Sequence, residues 1–292
     1  MPDRVVLVAT ASDDAQLTTE AQQSLAELAA ASGLVFETRA DAGTISTDVK
    51  IIIFLSQPVN LGSLANNTPG TQFAAVSNQD YKPAANVTII KLRDDHVAFA
   101  AGFISEMLAP NYRAGALLNS EDAVLGQAFS NGARYYCGIC LSTIFPYTKY
   151  PLTASNPVGS PASAWQTSFD QINAGKVQVL YVDAKAASAE LMAFLANKDV
   201  VVFGSLAVPN TSVRWAGTLA IDAVTALKEI WPELLAGKGG RVVNAAMRIT
   251  QNQPQQLPGG ELIWLSDGKI ALLNQLMQKL RADQIYPFDV PQ

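Results

Sequence analysis

The sequence predicts an α/β protein made of two doubly wound parallel-sheet lobes joined by a hinge. Three observations carry that prediction. Short apolar runs alternate with helix-period segments, the pattern of strand–helix–strand units whose crossovers make parallel sheets. The alternation halts at Pro110-Asn111 and then restarts. The chain has 292 residues, 49% of them apolar, which suits about two domains with substantial cores.

The elements follow in order. Arg4–Thr10 is a continuous apolar run, the mark of a strand buried on both faces. A helix follows with Leu17, Ala21, Leu25 and Leu28 on one stripe and Gly33 as its stop. Val35–Arg39, Val49–Leu55, Gln72–Ser77 and Asn86–Leu92 read as strands. Asp94 or Asp95 caps a helix that buries Phe99, Phe103 and Met107 and ends at Pro110. After the restart, Arg113–Leu118 reads as a strand, Asp122–Tyr136 as a helix and Gly138–Phe145 as a strand. Trp165, Phe169 and Ile172 mark a helix stopped by Gly175. Val177–Asp183, Ser188–Asn197 and Val200–Gly204 form a strand–helix–strand unit. Ser212–Trp231 carries Ala216, Leu219, Ala223, Leu227 and Ile230 on a helical stripe, with Pro232 just beyond. Arg241–Thr250 reads as a strand, Glu261–Ile270 as a hairpin turning at Asp267-Gly268, and a last helix runs to about Arg281. Residues 1–110 thus form an N-terminal lobe to which about 207–240 return, and 111–206 form a C-terminal lobe with about 241–292.

Composition excludes several classes of function. The net charge is −5, only 15% of residues are charged, and such a surface fits neither nucleic acid nor an anionic membrane. A single His rules out a multi-His metal centre, and no run reaches the ~18 apolar residues of a membrane span. The N-terminal Met1-Pro2-Asp3-Arg4 lacks the layout of a signal peptide, so the chain is either cytosolic or shown without its leader. Cys137-Gly138-Ile139-Cys140 follows a helix instead of preceding one, and Ile stands where redox motifs carry Pro. Two buried thiols, or a small-loop disulfide outside the cytoplasm, fit better than redox catalysis. A second Cys/His pair that would complete a zinc site is absent from the sequence.

Open parallel sheets bind ligands beyond the carboxyl ends of their strands. Two lobes facing each other through those ends would sandwich a ligand and close on it. The candidate ligand-binding residues there are Ser12, Asp13, Ser56, Asn78, Asp95, Asn119, Lys185 and Ser205, with Tyr147, Trp165 and Trp215 as aromatic platforms. Capping alone accounts for Asp13, Asp14, Asp94, Asp95 and Asp122 at helix starts, and His96 in a first turn reads as a solvated side chain. No G-x-S-x-G, P-loop, H-E-x-x-H or G-x-G-x-x-G stands in the sequence. Gly237-Lys238-Gly239-Gly240 ends a helix and so makes no phosphate cradle. Binding without catalysis is expected, with no cofactor and no metal.

Asp95-His96-Val97-Ala98-Phe99-Ala100-Ala101-Gly102 resembles the D-x-A-A-F-L-A-G helix start of the basic membrane lipoprotein (BMP) family, a purine-nucleoside-receptor-like branch of the type I periplasmic binding proteins. Tyr112–Leu118, followed by Phe129-Ser130-Asn131-Gly132-Ala133, is similar to that family's K-V-G-F-V-G … F-x-x-G-F-x-x-G segment. The specific match spans about forty residues, and the strand–helix order agrees more loosely over most of the chain. The resemblance implies lobes joined by three crossing strands. It also implies a lipid-anchored, extracytoplasmic solute receptor that hands its ligand to the permease of an ABC importer. Three features depart from it, one being the family's usual Ser-x-x-Lys before the next helix, which is not evident between Pro209 and Trp215. The family's D-x-S-F-N loop is matched here only by the Asp of Ser12-Asp13-Asp14-Ala15, and Phe203-Gly204-Ser205-Leu206 lacks the family's ribose-holding acid. The receptor role is carried over, with a nucleoside or related metabolite as one ligand class. The rival functions are a cytosolic ligand-sensing effector domain of a regulator and an enzyme using the same crevice.

Overall fold

The computed structural model describes residues 2–121, 124–205 and 212–289. They divide into two compact units: residues up to Arg93 with Ile221–Ala246, and Asp94–Ala220 with the chain from Met247 onward. The chain passes between the units three times, at 93/94, 220/221 and 246/247.

Unit 1 is built on a sheet with strand order β11-β5-β4-β3-β1-β2. In chain order the strands are β1 (Arg4–Val8), β2 (Val35–Arg39), β3 (Val49–Phe54), β4 (Gln72–Ser77), β5 (Val87–Lys91) and β11 (Arg241–Asn244). All five pairings are parallel. Both faces are covered, which explains the unbroken apolar runs. Val5, Leu7, Ile51 and Ile53 pack beneath α1 (Ala15–Ala31) and α7 (Ala223–Leu235). Val6, Val8, Ile52 and Phe54 point the other way, against Leu61 and Ala65 of α2 (Leu61–Asn67). Asp14 caps α1 by accepting from Leu17 N at 2.7 Å. The indole of Trp231 on α7 donates to Ser32 Oγ at 3.1 Å, tying α7 to the end of α1.

Unit 2 has a sheet of order β12-β10-β9-β8-β6-β7. Its strands are β6 (Ala114–Asn119), β7 (Leu152–Asn156), β8 (Val179–Val182), β9 (Val201–Gly204), β10 (Trp215–Asp222) and β12 (Ala246–Gln251). Strands β7, β6, β8, β9 and β10 pair in parallel. Helices α5 (Ala162–Asn173) and α6 (Ala189–Leu195) cover one face through Trp165, Phe169, Leu191 and Leu195. Helix α3 (Asp94–Leu108) is buried at every residue from His96 to Leu108 and packs on β8, on α4 (Val124–Cys137) and on α8 (Asp267–Arg281). A short antiparallel pair, β13 (Gln255–Gln256) with β14 (Leu262–Ile263), precedes α8.

Helices α3 and α4 cross at two glycines. A Cβ on Gly102 would lie 1.9 Å from Phe129 O, and one on Gly132 would lie 1.8 Å from Phe99 O. Each glycine therefore seats the other helix's backbone, and no larger residue fits. Both belong to the stretches that carry the family resemblance, so the role visible for them is helix packing.

Several expectations need correction. The stripe at Ser212–Trp231 is not one helix: Trp215–Asp222 is strand β10, Asp222 caps α7, and Pro232 lies inside that helix. Arg241–Thr250 is two strands, β11 in the sheet of unit 1 and β12 in that of unit 2. Gly138–Phe145 forms only one isolated bridge, Leu141 with Lys149. The segment is held instead by the Arg113 guanidinium, which donates to Ile144 O at 3.2 Å and also to Phe145 O. Asp267-Gly268 begins α8, capped by Ser266, and is not a hairpin turn. Residues 94–110 were expected in the first lobe, yet α3 packs in unit 2. The cap expected at Asp122 and the loop 206–210 lie outside the described residues.

Candidate functional site

In each unit the carboxyl ends of the strands gather short polar side chains. In unit 1, the loop after β1 turns through Thr10–Asp14. Asp13 draws it together: its carboxylate accepts from Thr10 N at 2.6 Å and Thr10 Oγ1 at 3.0 Å, and from Ser56 Oγ in the loop after β3. Burial pushes the Asp13 carboxyl upward. The bonds from Ser56 and Thr10 outweigh it and hold the group below the ordinary carboxylate range. Asp13 therefore does more than cap: it clamps two neighbouring loops. Ser12 Oγ lies 2.8 Å from Thr10 Oγ1 on the same turn, and Ser12 and Ser56 are both exposed. Asn78 is exposed after β4. Beside it, Lys91 pairs with Asp80, whose hydrogen bond and charge hold the Asp80 carboxyl low. An open depression of about 470 Å³ lies here, lined by Gln79–Pro83, Lys91 and Val242 and by none of the residues picked from the sequence.

In unit 2 three adjacent strands, β6, β8 and β9, bring polar groups together in two neighbouring sets of hydrogen bonds. Asn119 Nδ2 donates to Asp183 Oδ2 at 3.5 Å, while Asn119 Oδ1 is buried without a partner. Asp183 Oδ1 accepts from Lys185 N at 2.8 Å. Ser205 Oγ accepts from Ala184 N at 3.1 Å and lies 3.2 Å from Tyr181 OH. Tyr181 is buried between Phe129 and Phe203, and burial, then the Asp183 charge, pushes its hydroxyl far above the ordinary range. An unsatisfied buried amide oxygen is costly unless something donates to it. Asn119 is therefore placed to take a donor from a ligand or a water. Asp183 was missed as a site residue in favour of Lys185. The usable signal was an acid ending the apolar run Val179–Val182.

Other expected residues fall elsewhere. Trp165 and Trp215 are each 2% exposed inside one core cluster, and the Trp215 indole donates to Thr218 Oγ1 at 3.2 Å. Neither ring leaves a face for stacking, so neither is a platform. Tyr147 is 72% exposed but precedes β7, on the segment anchored by Arg113 at the start of β6, and so lies at the amino-terminal edge of the sheet. Asp95 is half-buried in the first turn of α3. His96 is not solvated: it is buried, with Nε2 3.8 Å from Asp283 Oδ1. Cys137 and Cys140 are joined as a disulfide, one of the two states expected.

No helix among the described residues is long and apolar enough to cross a membrane. No protein-family model and no curated protein matches the sequence. Solved structures do match. An ABC transporter solute-binding protein from Conexibacter woesei is 15% identical with a TM-score of 0.62, covering 97% of this chain and 98% of that one. A transcriptional activator of the comK gene from Bacillus halodurans is 11% identical with a TM-score of 0.61, covering 97% and 99%. A transcription repressor of the LacI family from Corynebacterium glutamicum is 16% identical with a TM-score of 0.51, covering 84% and 96%. At these identities the likeness is one of fold alone. That fold is the α/β, parallel-sheet fold shared by type I periplasmic binding proteins and LacI-type regulators.

Proposed function

We propose that this chain binds a small polar solute at the carboxyl ends of its parallel strands, as an extracytoplasmic receptor that presents its ligand to an ABC permease. The observation that carries the reading is the pair of contacts Asn119–Asp183 and Ser205–Tyr181, which bring polar groups of three adjacent parallel strands together beside one unsatisfied acceptor. Asp13 and Ser56 supply a second polar cluster, in unit 1. A ligand shifts the chain toward a form that a transport partner reads only as far as it binds that form more tightly.

The chemistry on offer is hydrogen bonding. Trp165 and Trp215 are spent on packing, so the preferred ligand is hydroxyl- or amine-rich. A nucleoside stays within the class only if its sugar or base edge carries the recognition. The Cys137–Cys140 disulfide supports an oxidising, extracytoplasmic setting, and a lipid anchor upstream of this chain would fit it. No catalytic step is proposed.

The regulators among the similar folds favour a second reading, in which the same clusters sense a cytosolic effector. Thermal-shift screening against sugars, polyols, amino acids and nucleosides tests the binding role common to both. A hit should raise Tm in the wild type and fail to do so in Asp183→Ala. No hit from the panel, or a hit indifferent to both Asp183→Ala and Asp13→Ala, would overturn it. The native sequence upstream then separates the two: a lipoprotein leader supports the receptor, and a DNA-binding domain the regulator.

A further inference from the structure

One buried group takes no part in the clusters above. Glu106 lies on α3, 1% exposed, and neither carboxylate oxygen has a hydrogen-bond partner. A carboxylate oxygen of Glu106 and the sulfurs of Cys137 and Cys140 all lie within 4.8 Å of one another. The two residues differ in burial: Cys137 ends α4 half-buried, next to exposed Gly138 and Ile139, while Cys140 is 2% exposed in a cluster with Ala133 and Tyr150.

We propose that Cys137–Cys140 is a dithiol–disulfide exchange site and that Glu106 is the proton donor to its buried sulfur. A thiolate of a reducing dithiol attacks Sγ of the less buried Cys137, and a mixed disulfide forms as the Cys137–Cys140 bond breaks. The electron pair goes to Cys140 Sγ, which takes the proton of the Glu106 carboxyl. The second thiol of the reductant loses its proton to solvent and attacks the mixed disulfide. Cys137 leaves as a thiolate and is protonated from water, and Glu106 regains its proton from water. Two electrons and two protons pass to the pair, and the reductant becomes a disulfide.

The surroundings suit that role. Burial alone pushes the Glu106 carboxyl up to about 9, so it keeps its proton at neutral pH. Without such a donor, a thiolate on Cys140 would form in an apolar pocket, where the charge is costly. The other titratable groups nearby are Tyr150, whose hydroxyl bonds to Gly175 O and feels the Glu106 charge, and Arg113, which acts on Tyr150. No charge on α8, β6 or β8 contributes to the Glu106 shift, for which burial is the cause.

Reduction by dithiothreitol, followed by thiol labelling and mass, tests the proposal, with circular dichroism to follow the fold. The rate constant per reductant thiolate should hold steady from about pH 6 to 8 in the wild type and fall about tenfold once Glu106 ionises above about pH 9. Glu106→Gln should reduce at least about tenfold more slowly at pH 7, the lower end of general acid catalysis, with no fall across that range. Equal rates and profiles in the two proteins would overturn the proposal. So would a rate independent of dithiothreitol concentration, which would mean that reduction waits on unfolding. One zinc ion held per reduced chain and lost in Glu106→Gln would make the trio a metal site instead. Should the variant not fold, the wild-type profile decides alone: no fall above about pH 9 refutes the role.

Discussion

Glu106 also sets a measurable dependence of stability on pH. Its carboxyl titrates near 9 when folded and near 4.5 when unfolded. Below the unfolded value both states hold the proton and the buried acid costs nothing through ionisation. Between the two values the unfolded chain releases a proton that the folded chain keeps, so stability falls as pH rises and goes on falling until the folded group itself ionises. The slope for one such group is about 1.4 kcal/mol per pH unit, so from pH 5 to pH 8 the loss reaches about 4 kcal/mol. Glu106→Gln keeps the shape and removes the titration. Urea unfolding of both proteins, disulfide intact, should show the variant gaining on the wild type by about that amount over the interval, with every other titrating group cancelling in the difference. A gap that stays constant to within about 0.5 kcal/mol would show that Glu106 is hydrated or paired in solution.

Other consequences follow from the packing and the polar clusters. Gly132→Ala should cost about 3 kcal/mol or more in chemical denaturation, because the new methyl meets Phe99 O and neither helix can withdraw. An unchanged midpoint would mean that the helices cross farther apart. Ser56→Ala should raise the Asp13 pKa in a carbon-13 NMR titration, since it deletes one of the bonds that hold the carboxyl low. The acid-side loss of stability that Asp13 contributes should still begin near the unfolded carboxylate's value but be smaller in the variant. Trp215→Phe should lower stability by about 2 kcal/mol while leaving the affinity for any ligand found by screening within about twofold. A larger change in affinity, measured by calorimetry, would return Trp215 to the site.

Most of the architecture could be read because buried parallel strands are apolar throughout, and such runs stand out whatever lies between them. The β1 and β3 runs are cases in point, with alternate residues packed on opposite faces. Strand β10 failed for the same reason: a strand buried from Trp215 to Leu219 has no period of its own, so the stripe of α7 was extended backwards through Ala216. The place of α3 could not be read from its own residues, because it depends on Gly102 meeting Phe129 on a helix some thirty residues later. Ser56, Asn119 and Ser205 are legible as short polar groups ending apolar runs, and Asp13 only as an acid at a helix start, whereas the place of Tyr147 is not, because spacing does not say at which end of a strand a loop emerges. Nothing in the sequence pattern marks Glu106. An acid on a mostly apolar helix normally faces water, and only the packing of α4 and α8 shows that this one does not.

The three passages of the chain between its units bear on how it is made. The sheet of unit 1 lacks its edge strand β11, and one face lacks α7, until the ribosome has emitted residue 246. Until then β5 presents an unpaired edge, and the apolar face destined for α7 is bare. The nascent chain therefore cannot finish its first half before starting the second. Maturation of the two halves is obliged to overlap, and a product ending near residue 220 would emerge with that edge open to other chains.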